Sequence, residues 1–143
     1  MNESLGRALG LDLGDERIGV AISDDARTVA TPLEVIAAKD RQQADARIVA
    51  LVDEWEIAIV VVGLPYQLDG QEGAAAKKVR AIMKRLGATL HVPLVTYDER
   101  LTTVEAHRVL DEQQIPGRDR REMVDMVAAQ VILQGWIDKT RHG

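Results

Sequence analysis

The sequence predicts a three-layer α/β domain in which a five-stranded mixed sheet is covered by helices on both faces. Two observations predict this class. The N-terminal part has the alternating patterns of strands, whereas the rest of the chain switches between helical periodicity and short apolar runs. The length of 143 residues is usual for one domain, and no repeat or Pro/Gly/Ser-rich linker divides it. We therefore expect a single domain over 1–143.

Three strands are expected ahead of the first helix. In 8–13, leucines alternate with small or polar residues, a pattern typical of a strand, and Gly14 ends it. A second strand is expected at 18–23, and a third at 33–36, directly after Pro32. Because their connections are short, these three strands are predicted to form an antiparallel meander.

Helices and strands alternate in the rest of the chain. Asp40 can cap a helix whose apolar face ends at Trp55, and the apolar run 57–62 is typical of a strand covered on both faces. Four further elements are expected: a helix over 73–86 that Gly87 ends, a strand over 90–97, a helix that begins at the cap Thr102 and stops before Pro116, and a helix capped by Asp119 that runs to about Lys139. Strands joined by helices should run parallel with right-handed crossovers.

Composition excludes several kinds of site. Cysteine is absent, so there is neither a disulfide framework nor a thiolate metal site, which agrees with a reducing compartment. The N-terminus has no signal-peptide pattern, and the longest apolar run, 57–62, is too short to cross a bilayer. We therefore expect a soluble cytoplasmic protein without a membrane partner.

Three carboxylates occupy unusual positions. Asp12 lies in an apolar strand, and burying an unpaired carboxylate is costly unless a cation, hydrogen-bond donors or a raised pKa compensates. Asp125 lies in a segment of the last helix that is almost free of other charges. Glu99 follows the fifth strand, where open α/β sheets place their ligand sites.

Each carboxylate also has a simpler explanation. Asp12 can make hydrogen bonds in the turn that follows it, and Asp125 can pair with Arg121 one helical turn earlier. Acidic residues at 98–99 can favour the dipole of the next helix, which is the preferred explanation for Asp98.

Taken together, Asp12, Glu99 and Asp125 are expected to converge on one edge of the sheet as catalytic and metal-binding residues. Oxygen ligands without cysteine or clustered histidine select Mg²⁺ or Mn²⁺. Two such ions would hold a scissile phosphate, activate water and stabilise the leaving oxygen.

Four segments resemble the YqgF/RuvX family: GLDLGDERIGVAIS at 10–23, VVGLPYQLDGQEG at 61–73, YDERLTTVEA at 97–106 and VDMVAAQVILQGWID at 124–138. They span almost the whole chain, from residue 10 to residue 138, in the family's order. The resemblance implies an RNase H-like fold and a Holliday-junction-resolvase-like nuclease that trims the 5′ end of pre-16S ribosomal RNA. The family's acidic triad falls on Asp12, Glu99 and Asp125.

Basic residues are the candidate contacts to nucleic acid. The net charge of −5 argues against such a partner, but two divalent ions would reduce it to −1. The candidates are Arg17, Arg100, Arg118, Arg120 and Arg121. In this chain Glu16-Arg17 stands where family members often have Lys-Arg, and the cluster of Arg118, Arg120 and Arg121 stands where they often have a lysine before the last helix. The basic face of the helix at 77–85 is interpreted as an ordinary solvated face. Because aromatic residues are few, recognition should depend on phosphates and shape.

Three other functions compete with an RNA-processing nuclease. An actin-like or sugar-kinase-like ATPase shares the topology, but it needs a second lobe that this chain is too short to form. A non-catalytic nucleic-acid-binding factor would gain nothing from three carboxylates. A junction resolvase normally acts as a symmetric dimer, for which Trp136 and Ile137 are the candidate contacts, although they are equally typical of a core. We predict cleavage of RNA in a pre-ribosomal particle, with branched DNA as the alternative and the oligomeric state left open.

Overall fold

A computed structural model of the chain describes residues 5–67, 69–99 and 117–142, and for 117–122 and His142 it describes the backbone alone. The elements within these ranges are β1 (Arg7–Leu13), β2 (Arg17–Ser23), β3 (Ala30–Ala37), α1 (Arg41–Glu54), β4 (Ile57–Leu64), α2 (Ala74–Thr89), β5 (Leu94–Asp98) and α3 (Gly117–His142). The helix predicted to begin at Thr102 lies outside the described residues.

The five strands form one sheet in the order β3-β2-β1-β4-β5. The first three strands pair antiparallel, whereas β1 with β4 and β4 with β5 pair parallel. This confirms the predicted mixed sheet. The carboxyl ends of β1, β4 and β5 therefore meet at one edge, which we call the carboxyl edge.

The two faces of the sheet bury different cores. Leu9 and Leu11 of β1 pack with α1 and α2 on one face. Ala8 points to the other face, where it packs with Ile132 and Leu133 of α3. The alternation predicted in 8–13 and the helices on both faces are thus confirmed. None of the described helices is both long and apolar enough to span a membrane.

Helix α3 lies against the sheet where two glycines leave space. A Cβ at Gly10 would come within 2.8 Å of Cβ of Leu133, and a Cβ at Gly19 would overlap the backbone carbonyl of Asp125. Any larger residue at these positions would push the helix outwards. These glycines bring Asp125 to the strand pair formed by β1 and β2.

Strand β3 is longer than predicted. It begins at Ala30, two residues before Pro32, and not after it. An edge strand tolerates proline because one row of its backbone groups needs no ladder partner. The register also shifts here, since Val20 pairs with Glu34 while Ala21 pairs with Pro32, which leaves one bulged residue.

The start of α1 agrees with prediction, whereas its end does not. The Asp40 side chain accepts a hydrogen bond from the backbone N–H of Gln43 at 3.1 Å, which confirms the cap. Trp55 is not part of the buried face: it follows the helix, is 38% exposed, and lies 5.6 Å below the guanidinium of Arg7. Such a cation–π contact stabilises an indole that remains in water.

Three other predicted boundaries were wrong. Gly87 does not end α2, which continues to Thr89 because the glycine keeps a helical conformation. Strand β5 begins at Leu94 and not at 90, since the backbone N–H of Leu90 closes the end of α2. Helix α3 begins at Gly117, so Asp119 lies within the helix and does not cap it.

Candidate active site

The carboxyl edge brings together two of the three predicted carboxylates in direct contact. Asp12 is the second-last residue of β1, and Glu99 directly follows β5. The backbone N–H of Glu99 donates to the carbonyl of Leu64 at 3.1 Å, which holds Glu99 against the end of β4. Parallel pairing of β1, β4 and β5 is therefore the reason that residues 87 positions apart in the chain meet.

Asp12 and Glu99 share a proton. Burial, the adjacent Asp12 and the charge of Asp98 raise the pKa of Glu99 to about 8, so its carboxyl group stays protonated at neutral pH and donates to Asp12. Burial also raises the pKa of Asp12, and the negative charge of Asp125 adds to this, while the hydrogen bond from Glu99 opposes it. Two partly buried carboxyl groups beside a third form a site that favours an added positive charge.

Asp125 reaches the site from α3. Its carbonyl lies over Gly19, the residue of β2 that pairs with Asp12. Its carboxylate accepts a hydrogen bond from Nε of Arg17 at 2.6 Å. The side chains are 34% exposed for Arg17 and 22% for Asp125, so this ion pair is open to solvent. The side chain of Arg121, the partner expected for Asp125 one turn earlier, lies outside the described residues.

Gly63 makes room for Glu99 and was not identified from the sequence. A Cβ at Gly63 would lie 2.6 Å from Oε2 of Glu99, and it would also overlap the side chain of Ile132. The available indication is a glycine that directly follows three valines in an otherwise large-residue strand. Gly63 therefore shapes the site without contributing a polar group.

The donor set fits a hard divalent cation. Asp12, Glu99 and Asp125 offer oxygen ligands alone, which Mg²⁺ and Mn²⁺ prefer. Across 5–67, 69–99 and 117–142, however, no three metal-ligating side chains already form a group that could hold an ion. Glu99 holds a proton and Asp125 binds Arg17, so both side chains are engaged with other partners. Binding of a cation would displace the proton and compete with the guanidinium.

The predicted nucleic-acid contacts are only partly placed. Arg17 lies in the site, bound to Asp125. Arg100 lies outside the described residues. The backbone puts Arg118, Arg120 and Arg121 in the first turns of α3, ahead of Asp125, and their side chains are not described. Asp98 ends β5 and adds to the negative charge that acts on Glu99.

Comparison with known proteins gives a consistent result. Residues 6–139 match the family model described as RuvX, Holliday junction resolvase. A relative from Anaeromyxobacter sp. (strain Fw109-5), named "Putative pre-16S rRNA nuclease", is 48% identical over 92% of this chain and 96% of its own. A relative of the same name from Crocosphaera subtropica (strain ATCC 51142 / BH68) is 45% identical over 94% of each chain.

Two solved structures are similar in fold. The structure of Thermus thermophilus RuvC in complex with Holliday junction substrate has a TM-score of 0.61 at 16% identity, over 96% of each chain. The fowlpox virus Holliday junction resolvase has a TM-score of 0.60 at 10% identity, over 94% of this chain and 99% of its own. These likenesses confirm the predicted RNase H-like fold.

Proposed function

Because the chain belongs to the family described as RuvX, Holliday junction resolvase, we propose that it is a divalent-metal-dependent nuclease that processes the 5′ end of pre-16S ribosomal RNA. The observation that carries this proposal is the partly buried Asp12–Glu99 pair at the carboxyl edge, with Asp125 beside it. Burial and neighbouring carboxylates raise the pKa values of Asp12 and Glu99, so three acidic side chains gathered at this place are unfavourable for a stable fold alone. They are explained if their role is to bind cations.

Asp12, Glu99 and Asp125 would hold the ions. Two Mg²⁺ or Mn²⁺ ions at these carboxylates would supply water activation and charge stabilisation for phosphodiester hydrolysis. Glu99 must first lose the proton that it donates to Asp12. For Asp125 to bind an ion, its hydrogen bond with Arg17 must weaken, because the ion and the guanidinium compete for the same carboxylate.

Arg17 is suited to bind the substrate once Asp125 is engaged elsewhere. Its guanidinium is partly exposed beside the carboxylates, and a phosphate oxygen can replace a carboxylate oxygen as acceptor. We assign the same role of phosphate contact to Arg100 and to the cluster of Arg118, Arg120 and Arg121, which lies ahead of Asp125 on α3.

Ribosomal RNA is the proposed substrate because the similar relatives carry that name. This substrate implies a cytoplasmic location and a pre-ribosomal particle as partner. Cleavage of four-way DNA junctions is the second candidate, favoured by the family description. Paired incision needs a symmetric dimer, but Ile137 is fully buried and Trp136 is partly buried on the same core, so Ile137 is unavailable for a dimer contact and only part of Trp136 remains for one. We expect junctions to be cut weakly or without symmetry.

One assay tests the function and its alternative together. A 5′-extended 16S precursor RNA, an unrelated single-stranded RNA and a four-way DNA junction are incubated with the protein in Mg²⁺, Mn²⁺ or EDTA. We expect metal-dependent cleavage of the precursor. Fast, paired nicking of the junction without RNA cleavage would overturn the choice of substrate.

The carboxylates are tested in the same assay with variants that remove charge but little volume. Asp12→Asn, Glu99→Gln and Asp125→Asn should each lower the cleavage rate at least about a hundredfold, because each removes stabilisation of charge in the transition state. Circular dichroism checks that each variant folds. A variant that cleaves at nearly the wild-type rate in saturating metal would show that its carboxylate is not a ligand.

A further inference from the structure

Two cations face the turn that follows Asp12, on the side of the sheet covered by α1 and α2. Arg41 is the first residue of α1, and Lys78 lies in the second turn of α2. Nη2 of Arg41 is 3.7 Å from one carboxylate oxygen of Asp15, and Nζ of Lys78 is 3.8 Å from the other. Both helices begin at the carboxyl edge, because each returns the chain from a strand that ends there. The two cations therefore flank the candidate active site.

Asp15 does not accept a hydrogen bond from either Arg41 or Lys78. Both distances exceed the length of a hydrogen bond, so the carboxylate attracts the cations without accepting from them. Nη1 of Arg41 is buried and has no hydrogen-bond partner, and among the side chains described it is the one such atom. The Asp15 side chain is itself 73% exposed. The Arg41 side chain as a whole is 35% exposed, so its guanidinium keeps donors that Asp15 does not use and that a ligand can reach.

The other arginines on α1 and α2, unlike Arg41, donate hydrogen bonds to carboxylates. Arg85 donates to Asp45 at 2.6 Å, Arg80 to Glu72 at 2.5 Å, and Arg47 to Glu34 at 2.8 Å. Their charges are neutralised within the protein. The basic face at 77–85 is therefore not uniform: its arginines are structural, whereas Lys78 at the carboxyl edge keeps an exposed side chain for which the described part of the chain provides one long ion pair.

We propose that Arg41 and Lys78 form a second phosphate-binding site for the nucleic-acid substrate, one that holds a backbone phosphate away from the bond that is cut. This inference rests on the proposed function, because the strand must also reach Asp12 and Glu99. A phosphate offers the acceptors that the exposed part of the Arg41 guanidinium lacks, and Lys78 adds a positive charge on a flexible side chain. Asp15 keeps both side chains near each other until a phosphate displaces the long ion pairs.

The position of this site determines which substrates it serves. Asp125 and Arg17 belong to the α3 side of the carboxyl edge, whereas Arg41 and Lys78 lie on the α1/α2 side. A strand that contacts both sets must cross the edge of the sheet. A long single strand can do so, whereas a dinucleotide has a single internucleotide phosphate and cannot occupy both sets at once. The site should therefore strengthen binding of long substrates alone.

Binding is tested without cleavage, in EDTA, with fluorescently labelled single-stranded RNA and a salt series. Arg41→Gln/Lys78→Gln should weaken binding at least about fivefold and flatten the slope of log Kd against log salt by about 0.7 for each phosphate that the variant no longer binds. Lys84→Gln, an exposed lysine farther along α2, is the matched control and should behave as wild type. A labelled dinucleotide should bind all three proteins equally.

Removal of the competing carboxylate should have the opposite effect. Asp15→Asn should tighten binding of the long RNA about two- to threefold, whereas Asp53→Asn, an exposed carboxylate at the far end of α1, should change it less. Unchanged affinity in Arg41→Gln/Lys78→Gln, or an equal loss in Lys84→Gln, would overturn the second site. The exposed single change Lys78→Gln decides the question if the double variant does not fold.

Failure of this inference is distinguishable from failure of the proposed function. If wild-type protein cleaves RNA but the double variant binds as wild type, the second site is wrong and the nuclease assignment stands. If no nucleic acid is cleaved but the double variant still loses affinity for long RNA, the binding site stands and the catalytic proposal fails.

Discussion

The proton shared by Asp12 and Glu99 makes the stability of the protein depend on pH. Burial, Asp12 and Asp98 raise the pKa of Glu99 from 4.5 to about 8, and burial and Asp125 raise that of Asp12. Between pH 4.5 and about 8, the folded state therefore binds more protons than the unfolded state. The stabilisation is complete below pH 4.5 and is lost as the pH rises through about 8.

We therefore expect the melting temperature in EDTA to fall as the pH rises from 4.5 to 8, and to fall less in Glu99→Gln because glutamine does not ionise. Calorimetry of both proteins over this range measures the difference. Asp53→Asn, which removes an exposed carboxylate, should keep the wild-type dependence. Equal slopes in wild type and Glu99→Gln would show that Glu99 ionises like an exposed carboxylate.

Arg17 should affect the binding of both metal and RNA. It binds Asp125, a proposed metal ligand, and it lies where a phosphate of the RNA is expected. Arg17→Ala should bind Mn²⁺ several-fold more tightly in the absence of nucleic acid, since Asp125 loses a competing cation. The same variant should bind RNA more weakly, with a salt slope reduced by about 0.7. Titration calorimetry with Mn²⁺ and anisotropy with RNA measure the two effects.

The matched control for this prediction is Arg7→Ala. Arg7 begins β1 at the opposite edge of the sheet, where it lies over the ring of Trp55. It should change neither the Mn²⁺ affinity nor the RNA affinity. Weaker Mn²⁺ binding in Arg17→Ala would mean that the arginine orients Asp125 for the metal and does not compete with it.

At the scale of elements, substituting two glycines by alanine should change the stability of the protein in opposite directions. Gly87 lies inside α2, and a Cβ there would contact nothing within 4 Å, so Gly87→Ala should stabilise the protein by about 0.5–1 kcal/mol. Gly19 lies under the carbonyl of Asp125, so Gly19→Ala must push α3 away and should cost about 1–3 kcal/mol.

Urea unfolding of the two glycine variants measures these changes. Gly19→Ala should also lose metal-dependent cleavage, because its methyl group displaces Asp125 from Asp12. Gly87→Ala should cleave as wild type. A Gly19→Ala protein with wild-type stability would contradict the close approach of α3 to β2.

At the scale of the whole molecule, metal binding should be measurable as stability. A ligand that binds only the folded state stabilises it by about 2.7 kcal/mol at a concentration of 100 Kd. For a domain of 143 residues this corresponds to a rise of several degrees in melting temperature. We expect Mn²⁺ to produce this rise at neutral pH and EDTA to reverse it.

Asp12→Asn and Glu99→Gln supply the control for this measurement, because each replaces a carboxyl group that could bind the ion as a carboxylate with a neutral amide. Neither should gain stability from Mn²⁺, whereas Asp53→Asn should gain as much as wild type. An equal rise in all of these proteins would indicate a cation site elsewhere. The overall charge of −5 makes this control necessary, since exposed carboxylates also attract cations.

The sequence alone determined what depends on local interactions. Alternation in 8–13 identified β1 and its two faces, and the side chain of Asp40 identified the start of α1. Asp12 and Glu99 were identifiable because a carboxylate in or directly after an apolar strand needs a compensating partner. Such patterns act over a few residues, so they can be recognised without knowing the fold.

Only the tertiary structure decided which partners these residues have. The pairing of Asp125 with Arg17 joins residues 108 positions apart, and it depends on space that Gly19 leaves under α3. The exposure of Trp55 and the extension of β3 across Pro32 depend on which surfaces and edges remain uncovered. Contacts of this kind arise from packing of whole elements, and no local pattern in the sequence encodes them.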